Sequence, residues 1–156
     1  MLKFIFVFVY LLLIFGVSVN GAASESAECG SGYHFFEGTK ACYGRSFRYI
    51  GHWKDAEENC QKENGHLASI HSNEEAEFIS SILPMGTEQL WIGLSNHVGE
   101  WQWNDGTPYD YTNWKEDPSI GLPKCAIFEK GNFVEMDCEK VGDFHFSICK
   151  REPWLL

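Results

Sequence analysis

Cysteine and histidine are the residue types in this chain that could support thiol, redox or metal chemistry, and each occurs six times. The cysteines are Cys29, Cys42, Cys60, Cys125, Cys138 and Cys149. All six follow an apolar leader, and an even number in a short exported chain is typical of a disulfide framework. Because a paired sulfur is not a nucleophile, this pattern argues against thiol catalysis. The sequence by itself leaves the pairing open.

The histidines do not form a recognisable catalytic or zinc-binding motif. They are His34, His52, His66, His71, His97 and His145. No His-Glu-x-x-His is present, and no two of them stand at helical spacing beside a carboxylate. The chain also lacks the Gly-x-Ser-x-Gly turn that presents a nucleophilic serine. We therefore expect neither an enzyme nor a zinc protein.

The charge of the chain is strongly acidic, with 12 Lys and Arg against 22 Asp and Glu and a formal net charge of −10. Nucleic acids and anionic lipids are bound by clustered Lys and Arg, so neither is an expected partner. The carboxylates could supply calcium with the hard oxygen ligands that it prefers. A solvated acidic surface would account for the same composition.

Residues 1–21 have the pattern of a secretory signal peptide. Lys3 precedes an apolar run over residues 4–17, and the small residues from Gly21 to Ala23 form a candidate cleavage region. A membrane-spanning helix needs about 20 apolar residues, so the signal peptide is favoured over an anchor. We expect a secreted, extracellular protein that does not insert into membranes when mature. Residues 22–28 are small and polar and are expected to form a flexible lead-in.

Two helices are predicted in the first half of the remaining chain. Residues 51–65 place Trp53, Ala56, Glu57 and Cys60 on one face, and Gly65 stands where a C-terminal cap is expected.

The second predicted helix begins at Ser72. Ser72 and Glu75 have the spacing of a capping box. The apolar face of this helix would consist of Ala76, Ile79 and Leu83.

The second half of the chain has the pattern of strands and loops. Leu90 to Leu94 is apolar and too short for a helix, which predicts a central strand. Trp101 to Trp103 alternates as a strand does. The stretch from Thr107 to Lys124 runs for about 18 residues without clear periodicity, and loops of that length are usually functional or disordered. The segments 125–138 and 146–149 follow as a hairpin and a last strand.

These elements in this order resemble the C-type lectin-like domain over residues 29–151, leaving 152–156 as a C-terminal tail. The motifs that carry the resemblance are Trp53, Cys60, Leu67–Ile70, Trp91–Leu94, Trp101–Gly106, Asn113–Trp114, Pro118 and the spacing of the last three cysteines. The resemblance implies an α+β fold in which two helices pack on small antiparallel sheets with a long irregular loop. It also implies three disulfides: Cys29–Cys42 of the family's long form, Cys60–Cys149 and Cys125–Cys138.

Sugar-binding members of that family hold calcium in the long loop, and this chain departs from their ligand pattern. Asp117 and Ser119 flank the proline where the family has Glu or Gln and then Asn or Asp. Pro123 replaces a Glu, and Val134 and Glu135 replace Asn and Asp. Because calcium affinity rises with the number of charged ligands, we expect binding no tighter than about millimolar and no cofactor.

The family's two other calcium positions are also altered. One of them would use Asn96, Glu100 and Ile120. The other would use Ser69, His71, Glu75 and Lys150. His71 and Lys150 stand where this third calcium position has carboxylates, and Lys150 would repel a cation. The resemblance therefore implies no metal site.

The resulting hypothesis is a calcium-independent binding module whose ligand is a protein, a lipid or a sugar, with a carbohydrate or an extracellular protein as the expected partner. The residues expected to bind the ligand are Tyr109, Tyr111, Asp117, Ser119 and Glu135. The alternative is a carbohydrate-binding lectin whose altered loop is assisted by calcium. In either case the tyrosine rings could stack on a pyranose, whereas the tryptophans near them match core positions of the family.

Overall fold

A computed structural model describes residues 29–85, 89–97, 99–119, 121, 123–140 and 145–154. The predicted signal peptide and lead-in lie outside these ranges and remain predictions. Within the described ranges, no helix combines the length and the apolar character needed to cross a bilayer.

Two helices and eight strands make up the described part of the chain. The helices are α1 (Trp53–Lys62) and α2 (Asn73–Ile82). The strands are β1 (Tyr33–Phe36), β2 (Ala41–Ile50), β3 (His66–Leu67), β4 (Leu90–Asn96), β5 (Gln102–Trp103), β6 (Lys124–Glu129), β7 (Asn132–Asp137) and β8 (His145–Arg151). The predicted α+β architecture with two helices and a long irregular loop is confirmed.

The strands form one connected sheet in the order β1-β2-β8-β4-β6-β7, with β3 added to β8 and β5 added to β4. Every pairing is antiparallel except that of β4 with β8, which is parallel. The expectation of small antiparallel sheets did not include this mixed pairing. Parallel neighbours need a long crossover connection, and the long loop together with the β6–β7 hairpin supplies it here.

The central strand β4 is the middle of the hydrophobic core. All seven of its residues are buried, and Trp91, Ile92 and Leu94 have no exposed surface. Trp103 on β5 is also buried. The central strand predicted from the apolar run Leu90 to Leu94 is confirmed.

Gly93 in β4 is required by close packing rather than by its backbone angles. Its N–H donates to the carbonyl of Ala68 at 2.9 Å. A Cβ atom at this position would lie 2.6 Å from the Leu67 carbonyl oxygen and 2.1 Å from Asn104 Oδ1. Any side chain would therefore separate β4 from the segment that follows β3.

The C-terminal end of α1 corrects one prediction. Asn64, with φ of 59°, takes the left-handed conformation expected of Gly65. The N–H groups of Asn64 and Gly65 donate to the carbonyls of Gln61 and Cys60, each at 3.0 Å, which closes the helix as a Schellman motif. Gly65 is needed for another reason, because a Cβ there would lie 2.5 Å from the Lys150 carbonyl oxygen.

The N-terminal end of α2 forms half of the predicted capping box. Ser72 Oγ accepts the Glu75 N–H at 3.1 Å. The Glu75 carboxylate accepts the N–H of His71 at 2.8 Å instead of that of Ser72. This difference arises because the Glu75 side chain is fully buried beneath the helix, where its carboxylate also accepts a hydrogen bond from Lys150.

Replacing Ser72 by Ala is expected to lower the free energy of unfolding by about 1 kcal/mol, because the N–H of Glu75 loses its acceptor. Urea denaturation of the variant measures this loss. Ser81→Ala, at the exposed C-terminal end of α2, is the control and should change the unfolding free energy by less than about 0.5 kcal/mol. Equal losses in the two variants would contradict the capping role.

All three predicted disulfides are present: Cys29–Cys42, Cys60–Cys149 and Cys125–Cys138. Their Cα separations are 5.4, 5.4 and 5.0 Å. Among the residues described, no cysteine is free.

The start of the predicted C-terminal tail is docked against the N-terminal end of the domain. The Arg151 guanidinium lies over the Tyr33 ring at 3.8 Å and over the Trp154 ring at 4.9 Å. It also donates to the carbonyl of Cys29 at 2.5 Å. These contacts place Arg151 between the two ends of the described chain.

Candidate functional site

The long loop is joined to the β6–β7 hairpin by backbone hydrogen bonds. The Lys115 N–H donates to the Phe133 carbonyl at 2.9 Å, and the Phe133 N–H donates to the Asn113 carbonyl at 2.8 Å. The Asn113 side chain adds a bond from Nδ2 to the Gly131 carbonyl at 2.6 Å. The ring of Trp114 packs edge-on against the buried ring of Phe133, with centroids 5.8 Å apart. These hydrogen bonds and ring contacts hold residues 113–115 of the loop against the β6–β7 hairpin.

Three of the five predicted ligand-binding residues come together in a groove of about 410 Å³ between the loop and β7. The groove is lined by Lys115, Glu116, Asp117, Ser119, Val134 and Glu135. The Glu135 carboxylate accepts both the N–H and the hydroxyl of Ser119, each at 2.7 Å. Glu135 thus closes the loop on the hairpin, while Asp117 stays exposed at the groove.

Tyr109 and Tyr111 lie outside this groove, half-buried against the core. Tyr109 Oη accepts the Trp114 indole N–H at 2.7 Å. The ring of Tyr111 packs edge-on against that of Phe133, with centroids 6.0 Å apart. Burial raises the pKa of both tyrosine hydroxyls. The structure therefore separates the tyrosines from the other three predicted residues and gives both of them packing contacts.

The family's second calcium position contains one buried amide. Asn96 at the end of β4 is 4 % exposed. Its Oδ1 atom has no hydrogen-bond partner within the described ranges. Glu100 is exposed, and Ile120 lies outside the residues that the structure describes. Calcium takes six to eight oxygens, and Ile120 has no side-chain oxygen to contribute.

The residues that the resemblance assigns to a third calcium position surround the ammonium group of Lys150. Lys150 Nζ donates to the carbonyl and hydroxyl oxygens of Ser69 at 3.2 and 3.1 Å and to Glu75 Oε1 at 3.1 Å. The Tyr43 hydroxyl also donates to Glu75. Burial and then the charge of Glu75 raise the pKa of Tyr43, so this hydroxyl keeps its proton. The Lys150 ammonium therefore lies among oxygens of Ser69 and Glu75, two of the residues that the resemblance assigns to a third calcium position.

A second polar cluster ties the loop to the segment before α2. His71 Nδ1 lies 2.7 Å from Asp110 Oδ1, and this hydrogen bond lowers the pKa of Asp110. Burial opposes ionisation of Asp105, but hydrogen bonds from Ser69 and Thr107 outweigh it and lower the pKa of that carboxyl. Sequence reasoning missed the contacts of Asp105 with Ser69 and of Asp110 with His71, because no local pattern links residues so far apart in the chain.

Comparisons of this chain with known proteins, by sequence and by structure, agree with one another. Residues 51–151 match the family model of the Lectin C-type domain. Snaclec 5 of Bitis arietans is 34% identical over 155 residues, covering 95% of this chain and 97% of the relative. Struthiocalcin-2 of Struthio camelus is 36% identical over 141 residues, covering 81% and 97%. A solved calcium-independent type II antifreeze protein superposes with a TM-score of 0.71 at 30% identity, covering 84% of this chain and 99% of that protein.

Proposed function

Because the chain belongs to the C-type lectin domain family, we propose that it is a secreted binding module that recognises its ligand without calcium. The ligand is a carbohydrate or an extracellular protein. It would be held by side chains of the groove between the long loop and β7, with Asp117 and Lys115 exposed to it. The proposal assigns no reaction to the protein.

The bond between Ser119 and Glu135 is the observation that carries this proposal. Both oxygens of the Glu135 carboxylate accept from Ser119. A calcium ion at this position would have to share the Glu135 carboxylate with Ser119 and still find four or more further oxygens. Of the two carboxylates that remain near the expected ligand cage, only Asp117 is without this internal bond. A metal-free loop is therefore the arrangement that these residues favour.

Two other features support the same proposal. The Lys150 ammonium supplies the positive charge that Glu75 requires at the third position, so no external cation is needed there. The solved antifreeze protein named above is calcium-independent, and it shows that a structure similar to this one can exist in a calcium-independent form. Calcium-assisted sugar binding through Asp117 and Glu135 remains the competing function that an experiment has to separate from this one.

Calorimetric titration of calcium into chelator-stripped protein is expected to show no binding tighter than about millimolar. The melting temperature should be the same with and without chelator, because a ligand that binds only the folded state would raise it. A one-to-one isotherm with micromolar affinity that disappears in Asp117→Ala would establish the calcium-assisted lectin instead.

A glycan array probed with and without chelator identifies the ligand class. We expect any retained glycan to bind equally in both conditions and to be lost in Asp117→Ala. Glu58→Gln, at an exposed position on α1 far from the loop in sequence, is the matched control and should bind as the unmodified protein does. Binding that requires calcium would contradict the proposal, whereas metal-independent binding unaffected by Asp117→Ala would move the site away from this groove.

A further inference from the structure

A second groove, of about 520 Å³, lies between α2 and the turn that joins β6 to β7. This helix groove is lined by residues of 73–81 on one side and by residues 113 and 130–132 on the other. It shares no lining residue with the groove between the long loop and β7. Small-molecule sites are typically clefts of about 300–1,000 Å³. The helix groove is therefore large enough to hold a small ligand of its own.

The first wall of the helix groove is one face of α2. Asn73, Ala76, Glu77 and Ser80 are spaced i, i+3, i+4 and i+7, which places their side chains on the same side of the helix. Ala76 is buried, and the other three are exposed. Asn73 Nδ2 donates to Glu77 Oε1 at 2.7 Å, and Ser80 Oγ donates to the Ala76 carbonyl at 2.9 Å. Both bonds orient a polar side chain and leave acceptor oxygens available to a ligand.

The second wall combines the β6–β7 turn with Asn113 of the long loop. Lys130 and Gly131 have φ of 51° and 89°, both positive as a two-residue type I′ turn requires. A Cβ added to Gly131 would have no atom beyond its chain neighbours within 4 Å, so the space beside it is open. Asn113 Nδ2 donates to the Gly131 carbonyl at 2.6 Å, and Asn132 Nδ2 donates to the Lys130 carbonyl at 3.2 Å. Each amide keeps a second hydrogen that a ligand could accept.

The lining of the helix groove is polar, and its charges balance. Glu77 and Lys130 carry opposite charges, and the amide and hydroxyl side chains beside them offer both donors and acceptors. Ala76 and Gly131 supply little apolar surface. A lipid chain would leave the polar groups unpaired, which is unfavourable. A strongly charged ligand would be repelled by one of the two charges, whereas a neutral ligand with several hydroxyl groups could pair with all of these side chains.

We propose that the helix groove binds a neutral, polyhydroxylated ligand, a sugar residue, without a metal ion. Its hydroxyl groups would donate to the Glu77 carboxylate and to the oxygens of Asn73 and Ser80. They would accept from the remaining amide hydrogens of Asn113 and Asn132. This site is separate from the one under Proposed function.

Tyr111 lies beside the same wall of α2. Burial and then the charges of Glu74 and Glu77 raise the pKa of its hydroxyl, which requires these carboxylates to be near the ring. An aromatic ring with a polar tip suits a sugar, which has apolar faces and polar edges. The tyrosine that sequence analysis assigned to ligand binding is thus closer in character to this groove than to the one in which Asp117 lies.

Proton–nitrogen NMR spectra test the proposal, because the side-chain amide of each asparagine gives its own signals. The isotope-labelled protein, in chelator, is titrated separately with mannose, galactose and N-acetylglucosamine. Ligand efficiencies place such small molecules in the millimolar range, so each sugar is added to about 50 mM. We expect at least one sugar to shift the amide signals of Asn73, Asn113 and Asn132 along a saturating curve. Absence of these shifts with all three sugars would overturn the proposal.

Two variants alter the groove itself. Ser80→Tyr fills it and should abolish the shifts of Asn113 and Asn132, whereas Lys54→Tyr places the same ring at an exposed position on α1 and should keep them. Glu77→Gln retains the side-chain shape and should weaken binding about 5-fold, because a hydrogen bond to a charged acceptor is the stronger one. Unchanged binding in either groove variant, or equal shifts caused by N-acetyl-triglycine amide, would contradict a sugar site here.

A further variant separates this site from the function proposed above. Asp117→Ala is expected to remove ligand binding in the groove between the long loop and β7 and to leave the sugar-induced shifts of Asn113 and Asn132 unchanged. Either proposal can then fail without the other. Loss of these shifts in Asp117→Ala would show that the helix groove is not an independent site and would overturn the inference.

Discussion

Removing the Cys60–Cys149 bridge by a double substitution to Ser is expected to lower the free energy of unfolding by about 4–5 kcal/mol. The bridge joins α1 to β8 across a sequence separation of 89. In the chain-entropy model, a cross-link that closes so long a loop removes many conformations from the unfolded state. Both cysteines are fully buried, so the serine hydroxyls would also lose their solvation. Urea denaturation followed by tryptophan fluorescence measures the change.

The matched control is the same substitution at Cys29 and Cys42, whose sequence separation is only 13. The chain-entropy model predicts that the free energy of unfolding falls by about 3 kcal/mol for a loop of this length. The slope of unfolding free energy against urea should increase in both variants, because the unfolded chain becomes more extended. A larger loss at Cys29–Cys42 than at Cys60–Cys149 would show that strain or local packing, and not loop length, determines what these bridges contribute.

The parts of the fold that the sequence predicts well are those with a local signal. Ser72 is a cap residue by type and position, and the structure uses it as one. The apolar run around Trp91 is the buried central strand. The parallel pairing of β4 with β8 could not be predicted in this way, because it depends on the path of the whole chain between them. The left-handed residue after α1 was misplaced by one position, since Asn64 and Gly65 can both adopt that conformation.

From the sequence, the candidate site could be predicted only as a set of positions whose residues differ from the calcium ligands of the family. Sequence reasoning identified that Asp117, Ser119 and Glu135 replace metal ligands. It did not predict that Ser119 would donate twice to Glu135, because that requires the loop to fold back across 16 residues. It treated Lys150 as a group that repels calcium and missed that the same ammonium satisfies a buried carboxylate. Hydrogen-bond partners of this kind depend on where the side chains lie in three dimensions. The residue type at a single position says little about that.

Replacing Lys150 by Met is expected to lower the free energy of unfolding by about 3–5 kcal/mol. Glu75 has no exposed surface, and its carboxylate contacts the Lys150 ammonium at 3.1 Å. Met has a length similar to that of Lys and no charge, so the buried carboxylate keeps its hydrogen bonds from His71 and Tyr43 but loses its counterion. Removing one partner of a buried ion pair is costly for this reason. Urea denaturation at neutral pH measures the loss.

A second substitution separates loss of the charge pair from loss of packing. Adding Glu75→Gln to Lys150→Met removes the unpaired charge and retains an oxygen for the His71 N–H, so most of the stability should return. Lys54→Met, at an exposed position on α1, should change the unfolding free energy by less than about 0.5 kcal/mol. A double variant as unstable as Lys150→Met alone would mean that the Lys150 side chain acts through packing. Recovery would instead identify the ammonium as the cation that balances the buried Glu75 carboxylate.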